Sequence, residues 1–306
     1  MSAKSELIAR LEYLNAAIGR PDLVDIGILP NEHNGVANLL RKGLSIVAFN
    51  ILEDFIKNKS IESLNLLSRS RIQFADLTEF LKNSSISGAL NSLNFHSGIL
   101  KKEGNLDWRT IIQDEALKIH STKNSVFELS KYTLVFSGSN VSSDEITDFT
   151  KAFGINEGWK FLKTVSDRIG GGLPDLAQAY KNAATRRHNS AHAANFQYNY
   201  VWLANLKNEI IAIAATLDII ITARCRQVCA SPEKKLEDHT IAEALNFRFL
   251  EYDNGKYKET KQISGRSRKN WIDLPSAINF LQPSLTTNNE FLIILNSSKR
   301  IEDWYA

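Results

Sequence analysis

The stretch Arg186-Arg-His-Asn-Ser-Ala-His192 puts two arginines, two histidines and an asparagine into seven residues. Three chemistries suit such a set. A basic helix end is the plainest, because cations complement the negative C-terminal pole of a helix. A metal pair is the second, since His188 and His192 at i and i+4 share one helix face as zinc-binding histidines do. The intervening Asn-Ser-Ala lacks the glutamate of a His-Glu-x-x-His hydrolase, and no third ligand suggests itself, so no metal is expected. The third is cleavage of RNA through its own 2′-hydroxyl. That reaction needs a general acid or base titrating near neutrality, which histidine supplies. It also needs a permanent cation beside the developing phosphorane, which arginine supplies with fork geometry.

Spacing constrains this third chemistry. Arg187 and His192 are five residues apart, which on a regular helix is about 140° around the axis. They cannot project side by side from one straight helix. A helix that frays after Ser190 would relieve the problem. Two copies paired across a two-fold axis relieve it more, each arginine meeting the other chain's histidine, so a homodimer is expected.

The elements that must hold the cluster are helical up to about residue 230. Ser5-Glu-Leu-Ile-Ala-Arg-Leu opens an amphipathic helix that Gly19 and Pro21 end. A long helix is predicted over 34–57, with Leu40, Leu44, Val47 and Ile51 at helical spacing. Shorter helical patterns follow over 61–67, 74–81, 88–101 and 107–119, and Ser142-Ser-Asp-Glu145 has capping-box spacing. Gly170-Gly-Gly-Leu-Pro174 breaks the chain ahead of the helix that carries the cluster. After a short polar loop over 193–199, a helix over 200–229 carries Leu203, Leu206, Ile210, Ile213, Leu217 and Ile220 as one apolar seam. Ile211, Ile219 and Ile221 lie off that seam, so more than one face is buried.

Past Ser231-Pro232 the pattern changes. Phe247-Arg-Phe-Leu-Glu-Tyr, Asp253-Asn-Gly255 and Lys256-Tyr-Lys-Glu-Thr-Lys read as a β-hairpin with a turn that favours positive φ. A short helix near 275–281 and a buried strand, Phe291-Leu-Ile-Ile-Leu, follow. The expected fold class is mainly α: a helical bundle over 1–230, then a small α+β domain over 231–306. Within that second part, Lys258 to Trp271 mixes cations with an aromatic, which suits phosphate and base contacts. A hairpin edge guarded by lysines explains the same residues.

Arg187-His-Asn-Ser-Ala-His192 resembles the R-x(4–6)-H motif of HEPN domains, all-helical modules found in many bacterial ribonucleases and toxins. The order of motif helix, short polar loop and long apolar helix is similar to the RiboL-PSP branch of that family. Leu40-Arg-Lys-Gly-Leu-Ser-Ile-Val-Ala-Phe-Asn-Ile-Leu-Glu-Asp-Phe-Ile56 and Gly158-Trp-Lys-Phe-Leu162 resemble two further segments of that branch. The likeness spans roughly 1–230. It implies a metal-independent endoribonuclease, a toxin or anti-phage effector, without cofactor, whose site forms across a dimer. Arg187 and His192 take the catalytic roles, and His188 stands at a position that is often Asn. Arg186 also matches at the longer spacing, as motif arginine or as an RNA phosphate contact. Asn189 lies three residues before His192 and could orient its ring. Glu53 interrupts the apolar stripe of Ile46, Phe49 and Ile56, so it is expected either in a salt bridge or positioning the catalytic pair. The competing function is a HEPN-like protein that holds RNA, a nucleotide or a partner without cleaving it. An antitoxin or regulatory partner goes with the first reading.

Composition bounds these expectations. The 306 residues carry 37 Lys plus Arg against 34 Asp plus Glu, a net +3, which by itself does not favour nucleic acid. From 231 onward the two signs balance at 11 each, so the whole excess belongs to the helical part. Cys225 and Cys229 are too few and too close for a secreted disulfide framework. The start has no uninterrupted apolar block of a secretory signal. The most hydrophobic run, 210–223, contains Asp218 and is shorter than the roughly 20 residues of a span, so no membrane is expected. A cytoplasmic location follows.

Overall fold

Capped helices build most of the chain. The computed structural model describes residues 2–134, 141–236, 241 and 245–305. They divide into two units. One gathers Met1–Ile56, Leu162–Ile219 and Leu245–Ala306, and the other Lys57–Phe161 and Ile220–Ala244.

In the first unit, α1 (Ala3–Ile18) starts at Ser2, whose side chain accepts from Ser5 N, and stops at Gly19. It is followed by the first part of α2 (Glu32–Arg69). The later helices are the end of a helix over Gly158–Ile169, the motif helix Leu176–His192 and most of the helix Tyr200–Ala230. Their apolar and aromatic side chains form the core, with Leu7, Leu52, Tyr180, Leu206 and Ile213 all at 2% exposure or less. The chain then makes β1 (Asn246–Asp253), β2 (Lys256–Thr260), β3 (Lys269–Trp271), a helix over Leu274–Thr287, β4 (Glu290–Leu295) and β5 (Ile301–Tyr305). The sheet order is β3-β2-β1-β4-β5, with β1 and β4 parallel and the other neighbours antiparallel. The predicted hairpin turn is present, with Asn254 and Gly255 both at positive φ.

Alternation decides what each sheet face covers. Leu250, Leu292, Ile294 and Trp271 pack against Ala277, Leu281 and Leu285 of the helix Leu274–Thr287. Phe249, Phe291, Ile293 and Trp304 point to the opposite side and are also buried. Trp304 Nε1 donates to Asp218 Oδ2 at 2.7 Å. A buried carboxylate needs such a donor, and this accounts for the one acid in the most apolar run of the sequence.

The second unit holds the rest of α2, then α3 (Glu79–Asn83), which continues through a π-helical turn into α4 (Ala89–Lys102). It also holds α5 (Trp108–Ser121) and α6 (Ser143–Ala152). The expected capping box is formed, Ser142 and Glu145 each accepting from the other's backbone. In chain order the helices Gly158–Ile169, Leu176–His192, Tyr200–Ala230 and Leu274–Thr287 are α7 to α10. Cys225 and Cys229 both lie in α9, outside any disulfide.

Two expectations for α2 need correction. It does not stop near residue 57 but runs unbroken to Arg69, because the polar stretch there is buried: Lys59 Nζ donates to Thr222 Oγ1 at 2.9 Å, and Ser60 Oγ to Lys57 O. Of the stripe of Leu40, Leu44, Val47 and Ile51, only Ile51 is buried. Leu40 and Val47 are 45% and 48% exposed, while Ala37, Ala48, Phe49, Leu52 and Ile56 are buried. By length and composition α2 also meets the criterion of a membrane span, although 44% of that window is buried in the protein.

The glycine run ends α7 with a close approach. Gly170 has φ +85, and a Cβ there would stand 2.8 Å from Lys299 O and 3.2 Å from Leu295 Cδ2. Gly170→Ala is therefore expected to cost about 1–3 kcal/mol through backbone strain and the clash with a carbonyl. Urea unfolding of the two proteins checks this; an unchanged midpoint would show that the contact is not required.

Candidate functional site

The cluster occupies the last two turns of α8. Asp175 caps its start by accepting from Gln178 N, and the helix stays regular to His192, with Ala193 N donating to Asn189 O at 2.9 Å. The helix does not fray after Ser190, so that route to bringing the two residues together is not taken. Arg187 and His192 consequently remain on different sides of one straight helix.

Three contacts from α2 hold this end. Ser45 Oγ donates to Ser190 Oγ at 2.9 Å, both residues buried. Lys42 Nζ donates to Ala193 O at 2.9 Å. Asn38 clamps the following loop from both sides, its Oδ1 accepting from Tyr198 N at 2.8 Å and its Nδ2 donating to Phe196 O at 3.1 Å. Phe196, Tyr198 and Trp202 pack as an aromatic cluster with ring centroids 5.8–6.4 Å apart. Asn199 then starts α9, its Oδ1 accepting from Val201 N. A cleft of about 570 Å³ opens beside Asn38 and Gln197, against the loop of Ile28 and Asn31.

The two arginines have different fates. Arg186 is ion-paired with Glu209 of α9, the side chains being only 14% and 16% exposed, and its guanidinium lies 6.0 Å from the Trp202 ring centre. Burial raises the Glu209 carboxyl above the ordinary carboxylate range, and the Arg186 charge and hydrogen bond offset this only in part. Burial likewise pushes the Tyr198 hydroxyl up to about 12, against the pull of Arg186. Arg187 is half-buried. Its Nε is buried without a hydrogen-bond partner, and its guanidinium makes no hydrogen bond or ion pair among the described residues.

His188 and His192 are both exposed, their ring centroids 4.8 Å apart at 51°. Neither ring hydrogen-bonds a described residue, and the Asn189 side chain makes no hydrogen bond to His192. Glu53 is buried at 4% exposure, two turns or about 12 Å along α2 from Ser45. Among the described residues no group of three or more His, Cys, Asp or Glu could hold a metal ion. In the sheet, the cations between Lys258 and Trp271 are partly engaged. Lys258 pairs with Asp253, Lys269 sits over the Trp271 and Phe280 rings, and the buried Trp271 donates Nε1 to Glu259. Of the two lysines only Lys269 is on an edge strand, β3, whereas Lys258 is on β2 between β1 and β3. Sequence reading missed Glu209, Asn38 and Lys42, whose partners lie 23 to 160 residues away and leave no local spacing signal.

Among known proteins, the family model described as RiboL-PSP-HEPN matches residues 5–223, well over half of the chain and inclusive of residues 186–192. No curated protein and no solved structure matches.

The raised Glu209 carboxyl sets a pH dependence. A carboxyl whose pKa is higher folded than unfolded binds the extra proton in the folded state, so its contribution to stability falls as pH rises through that window. Glu209→Gln removes the charge while keeping an acceptor for Arg186. Its stability relative to wild type is expected to rise with pH from the ordinary carboxylate range upward, measured by urea unfolding across pH 4–8. A relative stability that falls instead would mean that attraction to Arg186 outweighs burial.

Proposed function

The chain belongs to the RiboL-PSP-HEPN family, and from that premise we propose that it is a metal-independent endoribonuclease with Arg187 and His192 as its catalytic pair. The observation that carries this is the unequal use of two adjacent arginines. Arg186 has a buried counterion, whereas the half-buried Arg187 has none among the described residues. A half-buried arginine without a counterion is open to a new partner, and a phosphate suits its fork of donors. His192, exposed and free of hydrogen bonds to described residues, is open to a substrate hydroxyl.

In this reading His192 accepts the proton of the 2′-hydroxyl as that oxygen attacks phosphorus. Arg187 stabilises the added negative charge on the phosphorane, and the proton held by His192 passes to the 5′-oxygen as its bond to phosphorus breaks. The products are a 2′,3′-cyclic phosphate and a 5′-hydroxyl. Arg186, held by Glu209, is a positioning residue that ties α8 to α9. Because Arg187 and His192 diverge on α8, a productive site takes each from a different chain. A second copy suits the exposed stripe of Val36, Leu40, Gly43 and Val47 on α2, the helix that also clamps the motif end. A Cβ at Gly43 would meet nothing within 4 Å, which leaves room for close helix approach. Contiguous exposed apolar residues mark contact surfaces more often than solvated ones. The biological role that goes with such an enzyme is a toxin or an anti-phage effector acting on cellular RNA, restrained by an antitoxin or regulatory partner.

His192→Ala and Arg187→Ala are each expected to lower RNA cleavage in EDTA on the order of 10²–10⁴-fold. Mixing and refolding the two inactive proteins should restore about one quarter of wild-type activity, because half of the dimers then carry one intact shared site. Cleavage by His192→Ala at the wild-type rate would sink the assignment and leave RNA binding without catalysis. No recovery on mixing would place both groups in one chain.

A further inference from the structure

The histidine pair has a property that RNA cleavage does not use. His188 and His192 lie one turn apart on the last turn of a regular helix, both exposed, both without a hydrogen bond to a described residue. With metal–nitrogen bonds of about 2.0–2.1 Å and about 1.15 Å from ring nitrogen to centroid, two imidazoles at 90–110° on one ion stand about 4.5–5.2 Å apart. The observed 4.8 Å falls inside that range. The tilt of 51° between the rings avoids the parallel stack that would keep both nitrogens from one ion. The site also sits at the C-terminal pole of α8, the helix end that favours a cation, with the Lys42 ammonium already on the Ala193 carbonyl beside it.

We propose that His188 and His192 form a two-imidazole chelate for a divalent transition-metal ion, and that its occupancy inhibits the protein by taking the nitrogen lone pair that His192 would otherwise offer to RNA. Chelation stands on the geometry alone; only the inhibition rests on the nuclease reading. Two neutral nitrogens select borderline ions, so copper(II) should bind most tightly, then nickel(II) and zinc(II), with magnesium left out. With two protein ligands the ion keeps open positions for water, and binding is reversible by EDTA. Metal here is an inhibitor and takes no part in the reaction.

The test uses the full chain, stripped with EDTA and desalted. Copper(II) is titrated by calorimetry, and electron paramagnetic resonance counts the coordinated nitrogens. Wild type is expected to bind one tight copper(II) per chain through two imidazole nitrogens. His188→Asn and His192→Ala should each weaken that site on the order of 10²-fold, since the second ring binds intramolecularly at high effective concentration. RNA cleavage by wild type should fall in step with occupancy, and the same copper concentration should leave the His188→Asn protein proportionally less inhibited. Equal copper affinity in His188→Asn and wild type, or single-nitrogen coordination in wild type, would overturn the chelate. Tight two-nitrogen binding with undiminished cleavage would overturn the inhibition. Stripped wild type that cuts no RNA would instead refute the nuclease reading and leave the binding result standing.

Discussion

The ion pair between Arg186 and Glu209 organises the motif end of this protein. Two long charged side chains at 14% and 16% exposure have left most of their water behind, and the raised Glu209 carboxyl indicates that desolvation outweighs attraction for the acid. A pair with that balance contributes little to stability. What it does contribute is register. It joins α8 to α9 across the loop over 193–199, on a lever that includes Trp202, and it assigns different tasks to two neighbouring arginines that the sequence presents as equals. With Arg186 fixed on one side of α8, the next residue must project about 100° away. Arg187 is thereby kept apart from the acid that pairs with Arg186.

The same end is fixed from a third direction by α2. Asn38, Lys42 and Ser45 occupy successive turns of one helix face and bind, in reverse order, Tyr198 and Phe196, Ala193, and Ser190. Each bond satisfies a backbone or hydroxyl group that a helix terminus and a tight loop would otherwise leave open. Such polar cross-links on rigid helices hold a site more closely than a free loop does. The apolar residues of α2 that are not used in this way, Leu40 and Val47, face outward beside the clamp.

Much of this was legible in the sequence. Capping residues, glycine stops and the Asp253-Asn-Gly255 turn act locally, so α1, α9, the capping box and the hairpin could be placed from neighbours alone. The family resemblance and the mainly α class also followed from local order. What escaped was decided by distant contacts. Lys59 and Ser60 look like a helix end and are instead buried by hydrogen bonds, one of them to Thr222. Part of the polar side of α2 points inward because Asn38 and Ser45 have partners far along the chain, so an apolar stripe of the right period leaves Leu40 and Val47 exposed. The parallel pairing of β1 with β4 leaves no trace in either strand. At the site, the cluster of Arg186 to His192 could be read directly, while the identity of the engaged arginine could not, because Glu209 lies 23 residues away.

Charge at the motif end is better described by its local arrangement than by the net +3 of the chain. The C-terminus of a helix is the negative pole, the wrong end for a phosphate, in contrast to the N-terminal sites where anions usually sit. Lys42 answers part of this by donating to the Ala193 carbonyl, so that the pole is capped by an ammonium before any ligand arrives. Glu209 is neutralised by Arg186. The remaining fixed charge of the cluster is that of Arg187, beside two exposed imidazoles. On the proposed reading a phosphate would recruit Arg187 and leave His192 to move a proton, whereas a transition-metal ion would take both imidazoles and remove that base. Attraction for a substrate and the capacity to cleave it would then be carried by different residues, and the second could be lost without the first.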